Sequence, residues 1–210
     1  MDSEAAQIRP YHPEDLDDLY HIALATGDSG ADASEMYLDP MPVGHIYAAP
    51  YALLSPKTAF VVEDAEGVGG YIVGAADTRA FEARLEAEWW PTLRPLYADP
   101  PVALRADWSP DELMSYLIHH PFPAPRRVVK DFPSHLHINL LPRLQGQDMG
   151  RRLIDRWLQT IREMGSPGVH LGVSRANLRG VRFYRAYGFQ ELVLEGAPPG
   201  SGHWFTLPLA

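Results

Sequence analysis

HLHINLLPRLQGQDMGRRLIDRWLQTIREMG, residues 135–165, holds three local patterns in succession. Residues His135–Leu141 are an apolar run broken by polar points, which predicts a strand that stops at Pro142. Residues 142–148 carry Gly146 and few apolar anchors, which predicts a loop. Met149, Leu153, Ile154, Trp157, Leu158 and Ile161 then recur at helical spacing, which predicts a helix over Met149–Met164 with one broad buried stripe. Gly165 supplies the stop, with Pro167 just beyond. A strand that runs through a glycine-bearing loop into a strong helix has a chemical use. The first helical turn leaves free N–H groups pointing out of its end, and the dipole adds partial positive charge. Phosphate or pyrophosphate fits there, and Gly146 and Gly150 let a backbone come close to it. Gln145, Arg151 and Arg152 add side-chain donors. A loop that only turns a corner satisfies the same pattern.

Outward from this segment, the chain alternates strands and helices. Gln7–Arg9 starts a short strand and Glu14–Leu24 a one-sided helix. Residues 25–50, rich in Gly, Asp, Pro and Ala, read as a long, partly ordered connection. Thr58–Glu63 and Gly69–Ala76 form a hairpin around Asp64–Val68. Arg79–Leu96 reads as one helix limited by Pro91 and Pro95. Ser109, Pro110 and Glu112 open a second helix through a capping box. Residues 79–134 are therefore a helical insertion in a single domain spanning 1–210. Gly168–Val173 is a strand, Asn177 caps a short helix ending at Gly188, and Phe189–Leu194 and His203–Leu209 are two more strands. The connecting EGAPPGSG is polar and reads as flexible. The fold class is α/β: a central mixed sheet with helices on its faces.

Composition narrows the chemistry. The 210 residues hold no Cys, and 46% are hydrophobic. A core without disulfides or Cys-bound zinc is affordable, and a reducing, cytoplasmic setting is expected. The start of the chain carries no basic-then-apolar leader, and no apolar run reaches spanning length; no membrane partner is expected. The net charge of -9 argues against nucleic acid. Against that background, nine arginines between 143 and 185 face only three acidic residues. Such a basic segment suits a small anionic ligand or an ordinary helix surface. His135 and His137 share one face of a strand but lack a third metal ligand, so no metal is expected.

The two segments QGQDMGRR (145–152) and NLRGVRFYRAYGF (177–189) together resemble the GCN5-related N-acetyltransferase superfamily. Its pyrophosphate loop is Gln/Arg-x-x-Gly-x-Gly/Ala. Gln145 and Gly150 match the ends, and Asp148 stands where the middle Gly is usual. Asn177, Phe183-Tyr184 and Gly188-Phe189 match the later pattern. GGYIVGAADT (69–78), the insertion and HLHINLLP (135–142) are similar to bacterial relatives of the acetyltransferase-like C-terminal domain of O-GlcNAc hydrolases.

The resemblance implies acetyl-CoA as acyl donor. Its pantetheine arm would enter a gap beside the central strand and bond to backbone at Asn139, Leu140 and Leu141. Its pyrophosphate would lie on Gln145, Gly146, Gln147, Asp148, Met149, Gly150 and Arg151, with Asn177 nearby. The N–H of Leu140 would polarise the thioester carbonyl, and Tyr184 would protonate the departing thiolate. An attacking amine needs a base, and His137 is the candidate on the central strand; Asp131 and Glu35 are alternatives. Tyr37, Tyr47, Trp89, Trp90 and Trp108 would line the acceptor's pocket or simply bury the insertion. The acceptor classes are a small amine, an amino sugar or a peptide amine, in a monomer or a homodimer. The alternative function is an inactive module of the same fold that binds acyl-CoA or a protein partner.

Overall fold

The computed structural model describes residues 5–194 and 202–209; most of the EGAPPGSG segment lies outside them. Seven strands form one sheet: β1 (Gln7–Pro10), β2 (Phe60–Asp64), β3 (Gly67–Ala75), β4 (Ser134–Leu140), β5 (Gly168–Val173), β6 (Gln190–Leu192) and β7 (His203–Pro208). Their order is β1-β2-β3-β4-β5-β7-β6. Every neighbouring pair is antiparallel except β4 and β5. The mixed sheet is the expected one, with strand ends shifted by a residue or two.

Alternation along the strands sorts the core into two layers. On one face, Phe60, Val62, Ile72, Leu136, Val169, Leu171 and Phe205 pack against α8 (Met149–Glu163) and α9 (Leu178–Tyr187). All six apolar residues of the α8 stripe are buried, and Trp157 at its centre donates its Nε1–H to the carbonyl of Thr58. On the other face, Val61, Tyr71 and Val73 meet α1 (Leu16–Leu24), α2 (Met41–Tyr47), α3 (Ala49–Leu54), α4 (Thr78–Arg84) and α6 (Pro110–His119). Among the described residues, no helix is long and apolar enough to cross a membrane.

Two expectations fail here. Residues 25–50 are not a simple connection, because the chain folds into α2 and α3. Pro42 and Pro50 sit in the first turns, where no N–H is needed. Gly44 is not a turn residue: a Cβ there would lie 2.1 Å from the ring of Tyr20, so its bareness lets α1 and α2 touch. Arg79–Leu96 is not one regular helix either. After α4 comes a π-helical turn, Leu85–Trp89, then α5 (Trp90–Leu93). The wider turn resets the hydrogen-bond ladder, so Pro91 falls in a new first turn instead of ending the helix. The same region continues through α6 and α7 (Arg126–Val129) to β4.

At Gly74, β3 comes close both to β4 beside it and to α8 beneath it. An added Cβ would stand 2.2 Å from the His135 carbonyl oxygen and 2.6 Å from Trp157. Gly74→Ala is expected to cost about 1–3 kcal/mol, since neither a strand backbone nor a core tryptophan yields cheaply. Urea unfolding of the variant checks this; an unchanged midpoint would show that β3 and α8 are not packed this tightly.

Candidate active site

The parallel ladder between β4 and β5 holds only at Ser134–Val169 and His135–His170. Beyond it the strands part, so β4 from Leu136 to Leu140 borders a gap. Register decides which groups face it. Leu141 donates its N–H to the Gly69 carbonyl, and in an antiparallel pair such bonds fall at alternate residues. His137, Asn139 and Leu141 therefore turn their backbone groups to β3, while Ile138 and Leu140 turn theirs to the gap. Of the three residues expected to bond a pantetheine arm, Leu140 alone offers its N–H to the gap.

The loop after β4 is held in place by its own side chains. Gln145 donates its Nε2–H to the Leu140 carbonyl (2.6 Å) and receives Arg179 Nη1–H on Oε1. Gly146 has φ +77° and Asp148 φ +60°. Position 148 thus needs left-handed backbone, which explains why glycine suits it and why Asp, among the non-glycine residues, is tolerated. The Asp148 side chain is two-thirds exposed, lies 3.7 Å from Arg151 and caps no N–H of α8. The first turn of α8 is consequently without a side-chain cap. Gly150 lets Phe183 close on the helix: a Cβ there would sit 3.1 Å from its ring.

A cavity of about 870 Å³ runs from this helix end through the gap to the α1–α2 side. His137, Asn139, Leu140, Gln145, Gly146, Asp148, Met149, Gly150, Arg151, Asn177 and Tyr184 line it. Leu141 and Gln147 do not; Leu141 faces β3, and Gln147 bonds the Arg143 carbonyl (2.8 Å). Asn177 caps α9 through Gly180 N–H (2.7 Å). Tyr184 is buried against Phe183, Phe189 and Phe205. Burial raises its pKa, so the hydroxyl keeps its proton. Of the arginine cluster, Arg151 and Arg179 reach the cavity, whereas Arg143 pairs with Asp64 (3.1 Å) and Arg185 with Glu191 (2.6 Å). Asp131 and Glu35 line neither this cavity nor the one described below.

A hydrogen-bond chain that the sequence does not announce surrounds the two strand histidines. Thr78 donates its hydroxyl to the Pro133 carbonyl (2.6 Å), so its oxygen must accept from His135 Nδ1–H (2.7 Å). Burial, with its histidine neighbours, holds His135 well below its ordinary pKa, hence neutral. Its Nε2 is then a bare acceptor and takes the Tyr51 hydroxyl proton (3.0 Å). The Tyr51 oxygen in turn accepts His137 Nε2–H (3.1 Å). His137 is also neutral, pushed down to about 4 by burial and by His170. Each polarity follows from the one before. A neutral imidazole has one donor and one acceptor nitrogen, so the last atom in line, His137 Nδ1, carries a lone pair.

The comparisons agree with this geometry. Residues 76–189 match the family model "Acetyltransferase (GNAT) family". The chain belongs to that acetyltransferase family. It is similar to SsHAT, whose crystal structure superposes with a TM-score of 0.86 at 36% identity, covering 97% of this chain and 98% of that one. Rattus norvegicus protein O-GlcNAcase is 24% identical over 93% of this chain, which spans only 21% of that protein's length. The Salmonella typhimurium yncA structure, with its cofactor acetyl-CoA, shares the fold at a TM-score of 0.56 and 16% identity over 98% and 95% of the two chains.

Neutral, half-buried histidines leave a signature in stability. Their folded pKa lies below the unfolded value, so the unfolded chain binds more protons as pH falls from about 6.5 to 4, and stability drops through that window. His137 alone is expected to contribute about 1.4 kcal/mol per pH unit there. His137→Gln should flatten the slope of unfolding free energy against pH; an equal slope would mean that His137 is charged in the folded protein.

Proposed function

We propose that the protein transfers the acetyl group of acetyl-CoA to a primary amine by direct attack in a ternary complex. The observation that carries this reading is the Leu140 N–H, unclaimed by β3 and facing the gap beside β4. The uncapped first turn of α8, at Met149, Gly150 and Arg151, receives the pyrophosphate, with Arg151 and Arg179 beside it. The arm then runs along β4. The Leu140 N–H meets the thioester oxygen and stabilises the negative charge that grows there as the amine nitrogen attacks the carbonyl carbon. A preorganised donor of this kind contributes about 3–4 kcal/mol. His137 Nδ1 accepts the proton the nitrogen must lose. When the carbon–sulfur bond breaks, Tyr184 gives its proton to the leaving sulfur; its raised pKa keeps that proton available. Tyr51, His135 and Thr78 are positioning residues, holding His137 in the one tautomer that presents Nδ1. A cytoplasmic setting is part of the same proposal, on the cysteine-free composition.

Transfer of radiolabelled acetyl from acetyl-CoA to a mixture of primary amines tests the reading; binding of acetyl-CoA without any transfer would reduce the protein to a ligand-binding module. Tyr184→Phe is expected to lower kcat by about 10²-fold with little change in acetyl-CoA Kd. Equal turnover would remove Tyr184 from the reaction. Asp148→Gly should keep or tighten acetyl-CoA binding, because it relieves a left-handed residue and removes a carboxylate beside the pyrophosphate site. Weaker binding by calorimetry would show that the carboxylate contributes.

A further inference from the structure

A second cavity, of about 520 Å³, lies on the insertion side of the sheet. It meets the first at Tyr47, Leu136, His137 and Gly172, which line both. Its inner end is made of buried residues: Tyr51, Phe81, Trp90 and His170. Its outer end is open, since Phe122 is 66% exposed and the Glu86 side chain 51% exposed. The first cavity opens at the end of α8, so donor and acceptor would have separate entrances that converge on His137.

We propose that this second cavity is the acceptor's site, and that it takes a primary amine on an aromatic or similarly apolar body, entering uncharged past Phe122. This rests on the acetyl-transfer reading above and narrows its acceptor. The walls favour a ring: Tyr51, Phe81, Trp90 and Trp204 enclose it, and burying such a body in an apolar pocket is favourable. The walls give a cation little. The two carboxylates among the lining residues are already compensated. Glu82 receives Arg79 and the Ala124 N–H, and Glu86 receives Arg94 at 3.0 Å. His170 commits its Nδ1–H to the Phe132 carbonyl (2.6 Å). His135 and His137 are bound into the chain that runs through Tyr51. A buried ammonium without a counter-charge is expensive, and as an uncharged amine the acceptor already has the lone pair it attacks with. His137 then has only to take the proton released after the new carbon–nitrogen bond forms, a task that a base weaker than ordinary histidine can perform.

The test compares kcat/KM for four acceptors with acetyl-CoA: 4-methylaniline, 2-phenylethylamine, spermidine and a lysine-containing peptide. The ring-bearing amines are expected to exceed the other two by about tenfold or more. Phe122→Asp, at an exposed position, should lower the ring-bearing values about fivefold or more while leaving acetyl-CoA Kd unchanged. Preference for spermidine or the peptide, or ring-bearing rates untouched by Phe122→Asp, would overturn the assignment. Calorimetry with acetyl-CoA separates the two levels of inference, because failure there sinks the donor reading alone. In that event saturation-transfer NMR with 4-methylaniline decides the cavity's occupant: binding that Phe122→Asp abolishes supports an apolar amine, and no binding rejects it. With acetyl-CoA bound, binding of 4-methylaniline without turnover rejects the cavity as an acceptor site.

Discussion

The early end of the β4–β5 ladder is the constraint from which the site follows. Two residue pairs hold these parallel strands together, and then they part. A buried sheet normally satisfies every backbone N–H and carbonyl. Here Ile138 and Leu140 face a gap instead, with the Leu140 carbonyl taken by Gln145. The opposite edge of β4 is fully engaged with β3 from Gly70 to Ala75. One rigid side and one open side make β4 both a wall of the core and a border of the cavity.

The rest of the molecule supports that opening. Trp157 and the α8 stripe hold the sheet from below, and the same helix turns its uncapped first turn toward the cavity. Burial and site chemistry are therefore carried by opposite properties of one helix: apolar residues along its side and bare N–H groups at its end. On the other face, α3 and α4 bring Tyr51 and Thr78 against the strand histidines. The surroundings that hold these rings neutral come from several elements: Tyr47 and Tyr51 before the insertion, Phe81 within it, and His170 on β5.

Much of this was legible in the sequence where one local rule dominates. The α8 stripe, the Pro142 stop, the Ser109 capping box and the Asn177 cap each rest on residues within a single turn or two, and the structure has them all. What sequence hid was set by distant neighbours. Gly44 reads as a breaker but is a helix contact shaped by Tyr20. Pro91 reads as a stop but follows a π turn. Asp148 reads as a misfit in the loop, yet its positive φ explains the position. Tyr51 and Thr78 have no motif, because a relay across 57 to 86 residues leaves no local spacing to detect. Gln145 reads as a donor to a phosphate, and its tie between the end of β4 and Arg179 is set by residues too far apart to show in the sequence.

The open edge of β4 can be probed residue by residue through hydrogen exchange measured by NMR, with and without acetyl-CoA. The Leu140 amide should exchange more slowly once acetyl-CoA is present, and Ile138 should follow, while Asn139, already bonded toward β3, should change little. Protection confined to other parts of the sheet, with Leu140 unaffected at saturating acetyl-CoA, would contradict the assignment of this edge as the donor's binding strand.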